Sequence, residues 1–184
     1  MANFLLRARG TEAFGFGTLS IGLWVGLCGC GSGDAEAILH QIDDARFVIG
    51  ELRVEVAAHA EFADRTSEFA ELQDSESGHE RALHGHLEDL EHGIGDMGMC
   101  EDVDPDLLDS MFGTRGACDE DRGRHHDAMM TQTNITDARA EEQRHKVEMT
   151  DCLRELDEMM QEMRRDTGTA MCRQHHGMDG HRGP

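Results

Sequence analysis

Apolar residues recur along most of this chain at alternating steps of three and four. The first series is Ile38, Ile42, Ala45, Ile49, Leu52, Val56, His59, Ala63, Thr66 and Ala70, the seam of a helix packed against partners. It predicts a helix from about Asp34 to Leu72. The stretch QDSESGHE, residues 73–80, interrupts the pattern, and Ser77 and Glu80 within it have the spacing of a capping box. A second helix is therefore expected to start there, with His79, Leu83, His86 and Leu90 as its seam and Gly93 and Gly95 at its end.

Further on, Asp104, Pro105 and Gly113 are placed as the N-cap, first residue and terminator of a short helix. The alternating Asp102, Asp104 and Asp106 suggest a calcium loop, but the sixth position is Leu107 and the twelfth Gly113, where an EF-hand needs Gly and Glu. From about Glu120 the series Ala128, Thr131, Ile135, Ala138, Glu142, His145, Met149, Cys152, Leu156, Met159 and Met163 runs without a slip. One continuous helix to about Thr167, closed by Gly168, is expected despite the weak helix formers of TQTNIT. The fold class is all-α: an elongated helical bundle or coiled-coil-like hairpin of long antiparallel helices over residues 34–167, with 168–184 as a His/Met-rich flexible tail.

Composition supports helices, with no Tyr, one Trp and a large supply of Glu, Ala, Leu, Met and Arg. The formal net charge of -21 repels phosphates and so argues against nucleic acid as a partner, while it gathers cations at the surface.

The N-terminal segment has a different character. An apolar run from Ala13 to Leu27 follows Arg7 and Arg9; it has the length of a signal-peptide core and is short for a membrane span. The next residues, Leu27, Cys28, Gly29 and Cys30, resemble the bacterial lipobox. The resemblance implies a signal peptide over residues 1–29, acylation of Cys30, and a short tether over 30–33. Gly31 rather than Asp after that cysteine implies, by resemblance to enterobacterial sorting, a lipoprotein of the outer membrane. Attachment to the membrane is then through acyl chains.

Four cysteines remain: Cys100, Cys118, Cys152 and Cys172. An exported chain meets an oxidising compartment, which favours disulfides. With Cys118 and Cys152 on one continuous helix they lie about 50 Å apart. That spacing points instead to the local pairs Cys100–Cys118 and Cys152–Cys172.

Three constellations bear on chemistry. Two Glu-x-x-His tetrads, Glu76 to His79 and Glu142 to His145, have the spacing used by di-iron bundles. A chain this rich in Glu and His produces such tetrads by chance, and the capping box places Glu76 outside its helix, so the sequence favours setting this reading aside. The second is the set of seam histidines His59, His79, His86 and His145, which suits copper or zinc if they converge and simple packing-edge residues if they do not. The third is the tail, where Met171, His175, His176, Met178 and His181 gather soft donors, with His125, His126, Met129 and Met130 repeating the theme. The five tail residues are the leading copper ligands and the other four a second cluster.

No nucleophile-and-base pattern or phosphate loop is present, and no enzymatic activity is expected. Two functions follow: an envelope lipoprotein that binds or buffers a soft metal, or a structural module offering its helical surface to a protein partner.

Overall fold

The computed structural model describes residues 34–100 and 103–177, without the side chains of residue 34 and of 169–177. Among the described residues the chain forms four helices: α1 Asp34–Arg65, α2 Phe69–Met97, α3 Pro105–Thr131 and α4 Ile135–Gly177. The all-α bundle is as the periodicity predicts. Helix α1 packs against α2 and α4, and α3 packs against the same two, so each helix has two neighbours. Cross-helix pairs run in opposite sense, with Arg46 on Asp157 and Asp64 near Gln143, or Glu55 on His79 and Glu51 near His86. Neighbouring helices are therefore antiparallel, joined by short connections as an up-and-down bundle requires.

The boundaries differ from those the sequence suggests. The first helix ends at Arg65, because residues 66–68 break the helix and the chain turns back. Thr66 fixes this turn by donating from Oγ1 to Glu71 at 3.0 Å. The second helix then starts at Phe69, eight residues before Ser77. The Ser77–Glu80 capping box is not a helix start, since burying Leu72 and Glu76 on the face of Leu83 carries the helix straight through it. Local capping is worth about 1 kcal/mol, less than the burial of a single leucine at about 1.5–3 kcal/mol.

The long predicted helix over 120–167 is likewise divided. Residues 132–134 form a second turn, where the Asn134 side chain accepts from the Asp137 backbone N–H at 3.0 Å and caps α4. Asp104 does cap α3, accepting from the N–H of Asp106 at 3.0 Å. That helix nevertheless runs on through Gly113, Gly116 and Gly123, held by the burial of Met111, Cys118, Asp121, His125 and Met129 along one face. Helix α4 also continues through Gly168.

The disulfide pairing is corrected by the same turn. Cys118 on α3 and Cys152 on α4 are bonded, with Cα atoms 5.9 Å apart. Distance excluded this pair only while both residues were placed on one helix; once the chain reverses at 132–134 they become neighbours across the α3–α4 interface. Both predicted pairs are thereby ruled out, because each needs one of these two cysteines. Cys100 is half-buried against the main core.

Two apolar layers fill the bundle. The larger contains Ile42, Ile49, Leu52, Leu83, Leu87, Leu90, Ile94, Met149, Leu153 and Leu156, and the smaller, beside the two three-residue turns, contains Ala63, Leu72, Met129 and Ala138. Between them every helix carries polar residues inward: His59, Glu76 and His79, Asp121 and His125, Glu142 and His145, all buried.

Candidate metal centre

Burying seven ionisable side chains in mid-bundle is costly unless their polar atoms find partners. Helix α1 supplies His59, α3 supplies His125, and α2 and α4 each supply a Glu and a His three residues apart, which places both on one helix face. The His59 ring nitrogen Nε2 lies 3.0 Å from Glu142 Oε1 and 3.3 Å from Glu76 Oε2. His125 Nε2 lies 3.5 Å from each carboxylate. The four ligand atoms thus lie within 4.8 Å of one another. Each carboxylate stands between the same two imidazoles.

These contacts lack the alignment of hydrogen bonds. His59 Nε2, His125 Nε2, both oxygens of Glu76 and Glu142 Oε1 are buried without a hydrogen-bond partner. No aligned donor or acceptor among the described residues serves them. The same is true of His79 Nε2 and His145 Nε2, also buried and unpartnered. Native interiors leave few such atoms, and here they are concentrated at one level of the bundle in groups that could hold a metal ion.

The outer ring nitrogens are occupied. His79 Nδ1 is 3.0 Å from Glu55, and His145 Nδ1 is 2.8 Å from Asp121. An ionised carboxylate only accepts, so Nδ1 donates and the inward Nε2 of the neutral ring keeps its lone pair. Carboxylate-held imidazoles of this kind are the usual outer support of metal-ligating histidines. Asp121 is itself gripped by Arg144 at 2.9 Å and Arg124 at 3.0 Å.

The electrostatics divide the four imidazoles into two kinds. Burial pushes His59 down, but the flanking Glu142 and Glu76 outweigh it and raise its pKa to about 9. The same opposition takes His125 to about 10. Burial dominates at His79 and His145, whose pKa values fall below the ordinary imidazole value despite Glu55 and Asp121. Against the upward push of burial, His125 and His59 hold Glu142 at about 2 and Glu76 well below the carboxylate range. Without a metal the centre therefore holds two imidazolium–carboxylate pairs and two neutral imidazoles at neutral pH.

A pH optimum of stability follows for the metal-stripped protein. Unfolded imidazoles titrate near 6.5. Below that value the unfolded chain binds protons at all four histidines, whereas the folded chain binds them at His59 and His125 only, so stability rises with pH. Above it the unfolded chain is neutral while His59 and His125 stay charged up to about 9 and 10, so stability falls. Urea unfolding from pH 5 to 9 should show a maximum near 6.5. A flat profile would show that the imidazoles do not differ in this way.

No family model, curated protein or solved structure matches the chain.

Internal comparison is more informative. His125 lies 66 positions after His59, and Asp121, Glu142 and His145 stand at the same displacement from Glu55, Glu76 and His79. The starts of α2 and α4, Phe69 and Ile135, obey it too, as do the ends of α1 and α3. Within α2 and α4 the residues identical at this displacement are Glu76/Glu142, His79/His145, Leu87/Leu153, Leu90/Leu156 and Met97/Met163, all of them buried. The molecule is two helical hairpins of one pattern, and the centre lies where they meet. At the edge of the centre the hairpins differ: where α1 has Ala60, α3 has His126, half-buried, with Nδ1 3.7 Å from Glu76 Oε1.

The sequence-predicted ligands are distributed unevenly around this centre. His59, His79, His125 and His145 belong to it, His126 reaches its edge, and His86 is half-buried beside Glu51 outside it. Met129 is buried in the smaller apolar layer, and Met130 is exposed. Met171, Cys172, His175 and His176 fall on the last turns of α4, where the backbone alone is described. Met178, His181 and Cys30 lie outside the described residues. Glu76 and Glu142, set aside from sequence, are central to the cluster.

Proposed function

We propose that the protein is a metal-binding helical bundle whose buried His/Glu cluster holds a divalent transition metal. The observation that carries the proposal is the convergence of unpartnered, buried nitrogen and oxygen atoms from all four helices, with the outer nitrogens of His79 and His145 already held by carboxylates. The donors are imidazole and carboxylate, with no sulfur in the set. Such a set suits zinc, iron, manganese or cobalt better than Cu(I). A Cu(I) role rests instead on thioether donors such as Met171 and Met178 of the tail.

The reading is of a protein that holds a metal rather than one that transforms an organic substrate. One surface depression is lined by Arg46, Thr114, Glu155, Glu158 and Met159 among others, a second by Gly113, Ala117, Asp151 and Cys152 among others, and no residue of the cluster lines either. The test is retention of Zn(II) by metal-stripped protein through gel filtration in 0.5 M salt, which screens surface carboxylates. The wild-type chain should retain Zn(II) and the paired variant Glu76→Ala/Glu142→Ala should not. Equal retention by both would place the ion elsewhere and overturn the reading.

The address proposed for this activity is the envelope, with Cys30 as the acylated residue. Its support is the signal-like run and the lipobox resemblance. Incorporation of a palmitate analogue that survives Cys30→Ala would refute it.

A further inference from the structure

The number of ions is a separate question from whether one binds. We infer that the centre is dinuclear: one divalent ion on the His59–Glu76–His79 triad of the first hairpin and one on the His125–Glu142–His145 triad of the second, with Glu76 and Glu142 shared between them. This inference rests on the metal-binding reading above and extends it.

Three observations carry it. The first is the donor inventory. The donors that lie within 4.8 Å of one another form two overlapping groups, His59–Glu76–His125–Glu142 and His59–His79–His125; a single ion on the first leaves His79 Nε2 and His145 Nε2 buried without partners, and one on the second leaves the carboxylates and His145 Nε2 so. Two ions give every one of these nitrogens a role.

The second is the arrangement of the rings. His59 stacks on His79 with centroids 3.9 Å apart, and His125 on His145 at 4.0 Å. Contacts between the pairs are edge-on and longer, His79 being 6.1 Å from His125 and 5.7 Å from His145. The four imidazoles therefore fall into two couples, one on each hairpin. The two carboxylates lie between them, each within 3.5 Å of both His59 and His125.

The third is the repeat with its outer carboxylates. Each hairpin brings one His on its first helix, Glu-x-x-His on its second, and an acid four residues before the first His. That acid, Glu55 or Asp121, binds the second His of its own hairpin. A complete half-site is thus present twice. Glu76 and Glu142, both 1% exposed, bring two buried negative charges to the shared centre, which divalent ions would offset.

Co(II) tests the count, because ligand-field absorbance reports ions bound by nitrogen and oxygen donors. Titrated into metal-stripped protein, it should saturate at two equivalents per chain. Saturation at one equivalent overturns the dinuclear inference and leaves the metal-binding reading intact, whereas no saturable signal overturns both. Mn(II)-loaded protein gives an independent readout in its electron paramagnetic resonance: a broadened, exchange-coupled spectrum is expected at two equivalents, and an unperturbed six-line spectrum would contradict shared carboxylates. In His79→Ala, whose second triad is intact, the Co(II) break should move to one equivalent, provided circular dichroism shows the helices retained. A break still at two equivalents would contradict the half-site assignment.

Discussion

Loading the metal-stripped protein with Zn(II) should raise its thermal midpoint by on the order of 10–20 °C. An ion that binds only the folded chain stabilises it by about 4 kcal/mol when present at a thousandfold over its Kd. For a domain of this size each kcal/mol moves the midpoint by roughly 3–5 °C. The effect is large here because the site joins all four helices: the ligands come from α1, α2, α3 and α4, so the bundle cannot open at either hairpin without losing donors. The paired variant Glu76→Ala/Glu142→Ala should show less than a third of this shift. A scan with Ca(II) separates general attraction to an acidic surface from ligation, since carboxylates on the outside take Ca(II) readily while an imidazole-rich centre does not. Equal shifts with Ca(II) and Zn(II) would assign the stabilisation to the surface.

The second large effect concerns the metal-free state. Glu142 is 1% exposed and lies within 3.5 Å of both His59 and His125. Its removal in Glu142→Ala leaves two buried imidazolium groups facing Glu76 alone. Breaking a buried pair on one side typically costs about 3–5 kcal/mol, and urea unfolding at pH 6.5 should show a loss of that order. The loss should shrink as pH rises toward 9 and 10, where His59 and His125 give up their protons in the wild-type chain as well. Glu158→Ala, on the exposed face of α4 in a pair with Arg154, should change stability by less than about 0.5 kcal/mol. A loss at Glu142 no greater than that would mean the centre is not charged as its geometry implies.

Much of the bundle was legible in the sequence. The seam of α1 from Ile38 to Ala63 is buried at each of its predicted positions, because all but His59 are apolar and the alternation of threes and fours is uninterrupted. Legibility failed where the interior is polar. Glu76 is 1% exposed yet reads in sequence as part of a solvated, loop-like stretch between Leu72 and His79. The misplaced helix start at Ser77 and the dismissal of the Glu-x-x-His tetrads are one error with that cause. The missed turn at 132–134 has another: Thr131 and Ile135 keep the three-four spacing across it, so the period carries no mark of the reversal, and only the weak helix formers and the capping Asn134 do. The false continuity then removed Cys118 and Cys152 from consideration as a pair.

The signal that could have recovered all of this is the 66-residue repeat. Its register sets Thr66 opposite Gln132 and Phe69 opposite Ile135, so a turn found in one hairpin locates the other. It also aligns Glu55, His59, Glu76 and His79 with Asp121, His125, Glu142 and His145 while the surfaces of the helices differ. Two copies that each keep one buried Glu and two buried imidazoles retain more than packing requires, since apolar residues would fill the layer at lower cost.

The most direct measurement is a crystal structure of Co(II)-loaded protein with anomalous scattering at the cobalt edge. Ordered cobalt should lie among His59, Glu76, His79, His125, Glu142 and His145, with imidazole nitrogens at about 2.0–2.2 Å. Anomalous density confined to surface carboxylates or to the His/Met-rich residues after Gly168, with the buried cluster left without a metal, would contradict the account.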